Sequence, residues 1–71
     1  MAVVSVHASD RRSSAKVQMN CVLFGVSVTA TEYDDKGNPT YFDIDGDPRK
    51  AIRIALRSGA TPVAWLDRLE R

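Results

Sequence analysis

His7 and Cys21 are the chain's single imidazole and single thiol, side chains that can serve as general base, nucleophile or metal ligand near neutral pH. A paired His and Cys can generate a thiolate nucleophile, and together they can contribute to a zinc site. Both chemistries need more members than this chain supplies. Thiolate catalysis wants a third orienting group and an oxyanion donor. A structural zinc site wants four ligands, and the chain has one His and one Cys. The carboxylates come closer to a motif. Asp43-Ile44-Asp45-Gly46-Asp47 has the alternating acids of a calcium loop, which places Gly sixth and a bidentate Glu twelfth. Counted from Asp43, Gly46 is fourth and Ile54 is twelfth. The four glycines are too scattered to cradle a phosphate. No catalytic residue, no metal site and no cofactor is expected, and the chain reads as a non-enzyme.

Binding is what the remaining charged residues suit. The net charge is only +1, but the signs are segregated. Residues 32–47 hold Glu32, Asp34, Asp35, Asp43, Asp45 and Asp47 against Lys36, whereas residues 48–71 hold Arg49, Lys50, Arg53, Arg57, Arg68 and Arg71 against Asp67 and Glu70. Such separation bears on partner choice and association rate more than on fold. Two candidate surfaces follow. The first is an acidic hairpin formed by Glu32, Tyr33, Asp34, Asp35, Tyr41, Asp43 and Asp45, which suits a basic groove on another protein. The second is a basic helix face. At about 100° per residue, Arg49, Arg53, Arg57 and Lys50 fall within roughly a third of the helix circumference, where they can contact phosphates or balance the neighbouring acids.

These surfaces need elements to hold them. Val-rich Ala2–Ala8 reads as a strand. From Ala15 to Leu23 apolar residues occupy the odd positions, and beyond Phe24-Gly25 the phase flips to Val26, Val28 and Ala30. That pattern predicts one long strand with a bulge or bend at Gly25. The rival reading makes Ser14–Phe24 a helix stopped by Gly25. Tyr33–Thr40 is a turn, and Thr40–Ile44 pairs back as the second arm of a hairpin. Asp47 caps a helix with Pro48 in its first position, ended by Gly59. Thr61-Pro62 repeats that device and predicts a second helix towards the C-terminus, with Val63, Trp65, Leu66 and Leu69 on its apolar side. Of Tyr41 and Phe42, one is expected in the core and the other outside. Trp65 and Cys21 are expected in the core.

The predicted fold class is α+β: a single domain over residues 1–71, with a three-stranded antiparallel meander whose second strand is long and bent, packed by a C-terminal two-helix hairpin. Ala51–Leu69 resembles a helix-turn-helix unit, with Ala55, Gly59 and Trp65 at its small, glycine and apolar packing positions. That resemblance implies DNA binding, although the second helix offers none of the Arg, Asn or Gln base readers at its leading end. By size and charge the chain is similar to phage- and mobile-element-encoded inhibitors of host machinery, anti-CRISPR proteins among them. The analogy implies a small cytoplasmic protein that occupies a surface on a larger protein or ribonucleoprotein. The alternative is a nucleic-acid-binding regulator using Arg49, Lys50, Arg53 and Arg57. A Met start without a basic-then-apolar leader and a lone Cys both point to the cytosol. Lacking an apolar run of about 18 residues, the chain is expected to meet no membrane. A domain this short without a disulfide also leaves homodimerisation open.

Overall fold

The computed structural model describes residues 2–67. Six elements follow in the order β-α-β-β-α-β: β1 (Ala2–His7), α1 (Arg11–Phe24), β2 (Ser27–Tyr33), β3 (Pro39–Gly46), α2 (Pro48–Arg57) and β4 (Thr61–Asp67). The strands make one antiparallel sheet in the order β2-β3-β1-β4, a split β-α-β arrangement. This corrects the expected fold in three places: the sheet has four strands, β1 is central, and the helices are separated along the chain instead of forming a C-terminal hairpin.

The first correction is α1. Asp10 caps it, its carboxylate accepting the Ser13 N–H at 2.7 Å. Gly25 stops it at φ 70, donating to the Val22 carbonyl at 3.2 Å while Val26 donates to that of Cys21 at 3.0 Å. Val17 and Cys21 lie one turn apart and are buried, and Phe24 packs at the core margin. The odd-position alternation over residues 15–23 arose because Ala15, Met19 and Leu23 add apolar side chains on the face turned to water. Only Val17 and Cys21 of that series are core, at helical spacing.

The second correction is β4, where a helix with a Thr61 cap was expected. Val63 and Trp65 have strand propensity, and Pro62 is tolerated on an edge strand. Above all, β1 would otherwise present an unpaired row of backbone groups. Residues 61–67 take that edge, with a register shift opposite Ser5 and Val6. Trp65 therefore sits on an edge strand and is 56% exposed, not in the core. The helix-turn-helix resemblance fails with it, since no helix follows Gly59 within the described residues. Leu69, Arg68, Glu70 and Arg71 lie outside them.

The hairpin and the start of α2 are as expected, with the turn itself confined to residues 34–38. β2 and β3 form the hairpin, closed by the Asp34 N–H to Asn38 carbonyl bond at 2.9 Å. α2 begins as expected, with Asp47 accepting the Arg49 N–H at 2.9 Å and Pro48 in the first turn. Both helices cover the same sheet face, α1 over β2 and β3, and α2 over β1, β3 and β4. Between the layers lie Val4, Val6, Phe42 and Ile44 from the sheet, with Val17, Cys21, Ala51, Ile54 and Ala55 from the helices. Full burial of each large apolar side chain contributes about 1.5–3 kcal/mol. Ser58 joins the helices: its hydroxyl donates to the Ile54 carbonyl at 2.6 Å and accepts from the Asn20 amide at 2.9 Å.

Candidate binding surface on the open sheet face

Strand alternation decides what the uncovered face carries. Ala2, Val4 and Val6 of β1 point into the core, so Val3, Ser5 and His7 point away from it. Phe42 and Ile44 of β3 point inward, so Tyr41, Asp43 and Asp45 point outward. Antiparallel register then lines these residues up in rows. Tyr41 pairs with His7 and, across the other strand, with Glu32; His7 in turn pairs with Thr61. Asp43 stands between Thr29 and Ser5, and Asp45 between Ser27 and Val3.

The central rows are preorganised. The Ser5 hydroxyl donates to an Asp43 carboxylate oxygen at 2.7 Å, a charge-assisted bond that fixes the carboxylate. The His7 and Tyr41 rings lie 4.6 Å apart at 38° and form an aromatic shoulder beside the acids. As expected of the neighbouring pair, Phe42 is core and Tyr41 lies outside it.

The acidic residues named from sequence thus fall into two groups. Tyr41, Asp43 and Asp45 share the open face, with Glu32 beside Tyr41 in register. Tyr33, Asp34 and Asp35 belong to the hairpin end, where Tyr33 is 61% exposed. Asp34 is built into the turn: its carboxylate accepts the backbone N–H groups of Lys36 and Asn38, each at 2.9 Å. The Asn38 N–H, foremost, holds the Asp34 carboxyl below the ordinary carboxylate range. Asp35 shares a shallow cleft of about 450 Å³ with Arg11, Asp34, Lys36 and Asn38, so this end is of mixed sign.

Arg49, Lys50, Arg53 and Arg57 all stand exposed on the outer face of α2, with the Arg57 guanidinium 5.6 Å from the Phe24 ring centre. They occupy the opposite side of the molecule from Asp43 and Asp45, with the core between. Direct ion pairs between the stripe and the sheet-face members of the acidic hairpin, Asp43 and Asp45, are therefore not part of the fold.

No cysteine chemistry reaches the open face. Cys21 is fully buried under the helices, and burial pushes its thiol up to about 11, so it is a neutral core group at physiological pH. His7 is on the other side of the sheet, which separates the one His–Cys pair of the chain. Among the described residues no cluster of three or more His, Cys, Asp or Glu side chains is arranged to hold a metal ion. None of their helices is long and apolar enough to cross a membrane.

Sequence reasoning missed Ser5 as a neighbour of the acids, because β1 was not expected beside β3; Ser27 and Thr29 lie on the expected hairpin, but their register against Asp45 and Asp43 was not read from the sequence. It also missed Met19, Val22 and Leu23 as surface residues. The bracketing pair Asp10 and Gly25, a cap and a stop, was the available signal for α1. Comparison with protein-family models, with curated proteins and with solved structures finds no match.

Proposed function

We propose that the chain is a non-catalytic binding module that docks its open sheet face on a basic surface of a larger protein or ribonucleoprotein and acts by occupying it. The observation carrying this reading is the row Tyr41, Asp43, Asp45 on a sheet face that no described element covers. A preorganised carboxylate opposite an Arg or Lys costs little further ordering on binding, and the Tyr41–His7 shoulder offers aromatic area of the kind that anchors interfaces. Carboxylates at the centre of the face repel nucleic-acid phosphates, so the partner surface is basic protein. Blocking a basic site in this way is the action of an inhibitor of nucleic-acid-handling machinery, in keeping with the analogy drawn from size and charge.

The test places a cation on the face without breaking its internal bonds. Thr29 is exposed and pairs with Asp43. Thr29→Lys is expected to slow association with a captured partner on the order of tenfold or more, in nuclease-treated extract, with the thermal midpoint unchanged. Equal capture by the variant and the parent chain contradicts the reading. Nucleic-acid binding is the competing reading, but with residues 61–67 in a strand it retains α2 alone.

A further inference from the structure

The outer faces of α1 and α2 form a second surface of different chemistry. Neither helix contains a carboxylate within its bounds. Asp10 and Asp47 sit just ahead of them and are engaged as caps. A helix face kept only for solubility interleaves Glu with Lys or Arg four residues apart, since like charges at that spacing repel. Here Arg49, Arg53 and Arg57 succeed one another at that spacing unrelieved. The outer faces of the two helices also carry bare aliphatic side chains: Met19 is 62%, Val22 78%, Leu23 72% and Leu56 66% exposed.

Helical phase puts Met19, Val22 and Leu23 on the side of α1 opposite Val17 and Cys21. On α2, Leu56 is flanked by Arg49 and Arg53, opposite Ala51 and Ala55. The Asn20–Ser58 bond and the Arg57–Phe24 contact hold the two helices side by side. Because both helices lie on one face of the sheet, these aliphatics and the cations of α2 are presented on the same side of the molecule. Along α2 this side includes a shallow cleft of about 390 Å³ lined by Arg49, Ile52, Arg53, Leu56 and Arg57.

We infer that this helix layer docks on the surface of an anionic phospholipid bilayer. Aliphatics seated at the headgroup–acyl boundary, with guanidinium and ammonium groups at the lipid phosphates, is the combination such an interface rewards. Duplex or single-stranded nucleic acid would satisfy the cations but leave the aliphatics in water, because bases stack on aromatic rings. The expectation of no membrane contact rested on the want of a spanning segment, and surface docking requires none. Docking by the helices also leaves the acidic sheet face turned away from the anionic lipid, free for a protein partner.

The experiment is co-sedimentation of the full chain with vesicles of phosphatidylcholine alone or mixed with phosphatidylglycerol, at low and at physiological salt, with duplex DNA as a competing probe. The expected result is binding to the mixed vesicles only, weakened by salt. Each cation near the surface is worth about fivefold in affinity, so Arg49→Glu with Arg53→Glu lowers binding by at least about 25-fold. Val22→Ser with Leu23→Ser lowers it by at least about tenfold through lost apolar insertion. These positions are exposed, so circular dichroism is expected to report unaltered folding. Three outcomes overturn the inference: no binding to the mixed vesicles at low salt, DNA binding in place of vesicle binding, or vesicle binding indifferent to the Val22 and Leu23 changes.

Discussion

Val17→Ala and Leu23→Ala, made separately, test the orientation of α1 and with it the whole arrangement of layers. In an extended segment residues 17 and 23 share a face, and both substitutions would cost alike. In the helix they are on opposite sides: Val17 is fully buried and Leu23 is 72% exposed. Val17→Ala deletes the equivalent of two methylenes at about 0.8 kcal/mol each. With the residual cavity between α1 and the sheet, the loss comes to about 2 kcal/mol. For a domain of this length each kcal/mol moves the thermal midpoint by about 4–8 °C, so Val17→Ala lowers it by about 8–16 °C. Leu23→Ala removes more carbon but little buried area, and Ala is a good helix former. Its cost stays within about 0.5 kcal/mol, a shift of no more than about 4 °C. Thermal and urea melts followed by far-ultraviolet circular dichroism measure both. Equal losses for the two variants would refute the helix and the covering of the sheet by it.

Other consequences are as direct. Gly59 has φ 77, and a Cβ there would meet the Ser13 hydroxyl at 3.2 Å; Gly59→Ala is expected to cost about 1–2 kcal/mol from the left-handed backbone, read from urea midpoints. The Ser14 hydroxyl is buried without a hydrogen-bond partner among the described residues, so Ser14→Ala is expected to be neutral or stabilising by up to about 1 kcal/mol. Buried Cys21, its thiol pushed up to about 11, is expected to resist alkylation at neutral pH until the chain is unfolded. Asp34 titrates below the usual carboxylate range because of the bonds it accepts, the Asn38 N–H first. The stability it contributes is therefore present above its unfolded-state value and is lost as pH falls through its folded-state value. Asp34→Ala should flatten that acid limb of the melting curve.

The readable parts of the fold were those specified by local chemistry. Asp47-Pro48 and Gly59 marked α2, and the Asp, Gly, Asn and Pro of residues 34–39 marked the hairpin, because caps and turns depend on a few residues' own backbone preferences. The misread parts were those decided by what they pack against. In α1 the exposed Met19 and Leu23 completed a strand-like alternation around Val17 and Cys21, so surface residues imitated a core pattern. In β4, Thr61-Pro62 has the chemistry of a helix start, but the free edge of β1 required a partner, and pairing overrode the local signal. The candidate surface was legible in part for the same reason. Tyr41, Asp43 and Asp45 lie on one strand, and their common face follows from alternation alone. Their neighbours Ser5 and His7 come from a strand 38 and 34 residues away, a juxtaposition that only strand order supplies. The opposition of acidic sheet and basic helices likewise follows from which face α2 covers.

The central claim is that partner capture runs through the open sheet face, and site-specific photo-crosslinking addresses it most directly. A photoreactive residue placed at Thr29 reports from beside Asp43, and one placed at Arg53 reports from the outer face of α2. In nuclease-treated extract, the Thr29 probe is predicted to give a discrete protein adduct that disappears when Asp43 and Asp45 are both changed to Asn. The Arg53 probe is predicted to give no adduct to that protein. The same partner crosslinked from Arg53 and not from Thr29 contradicts the account.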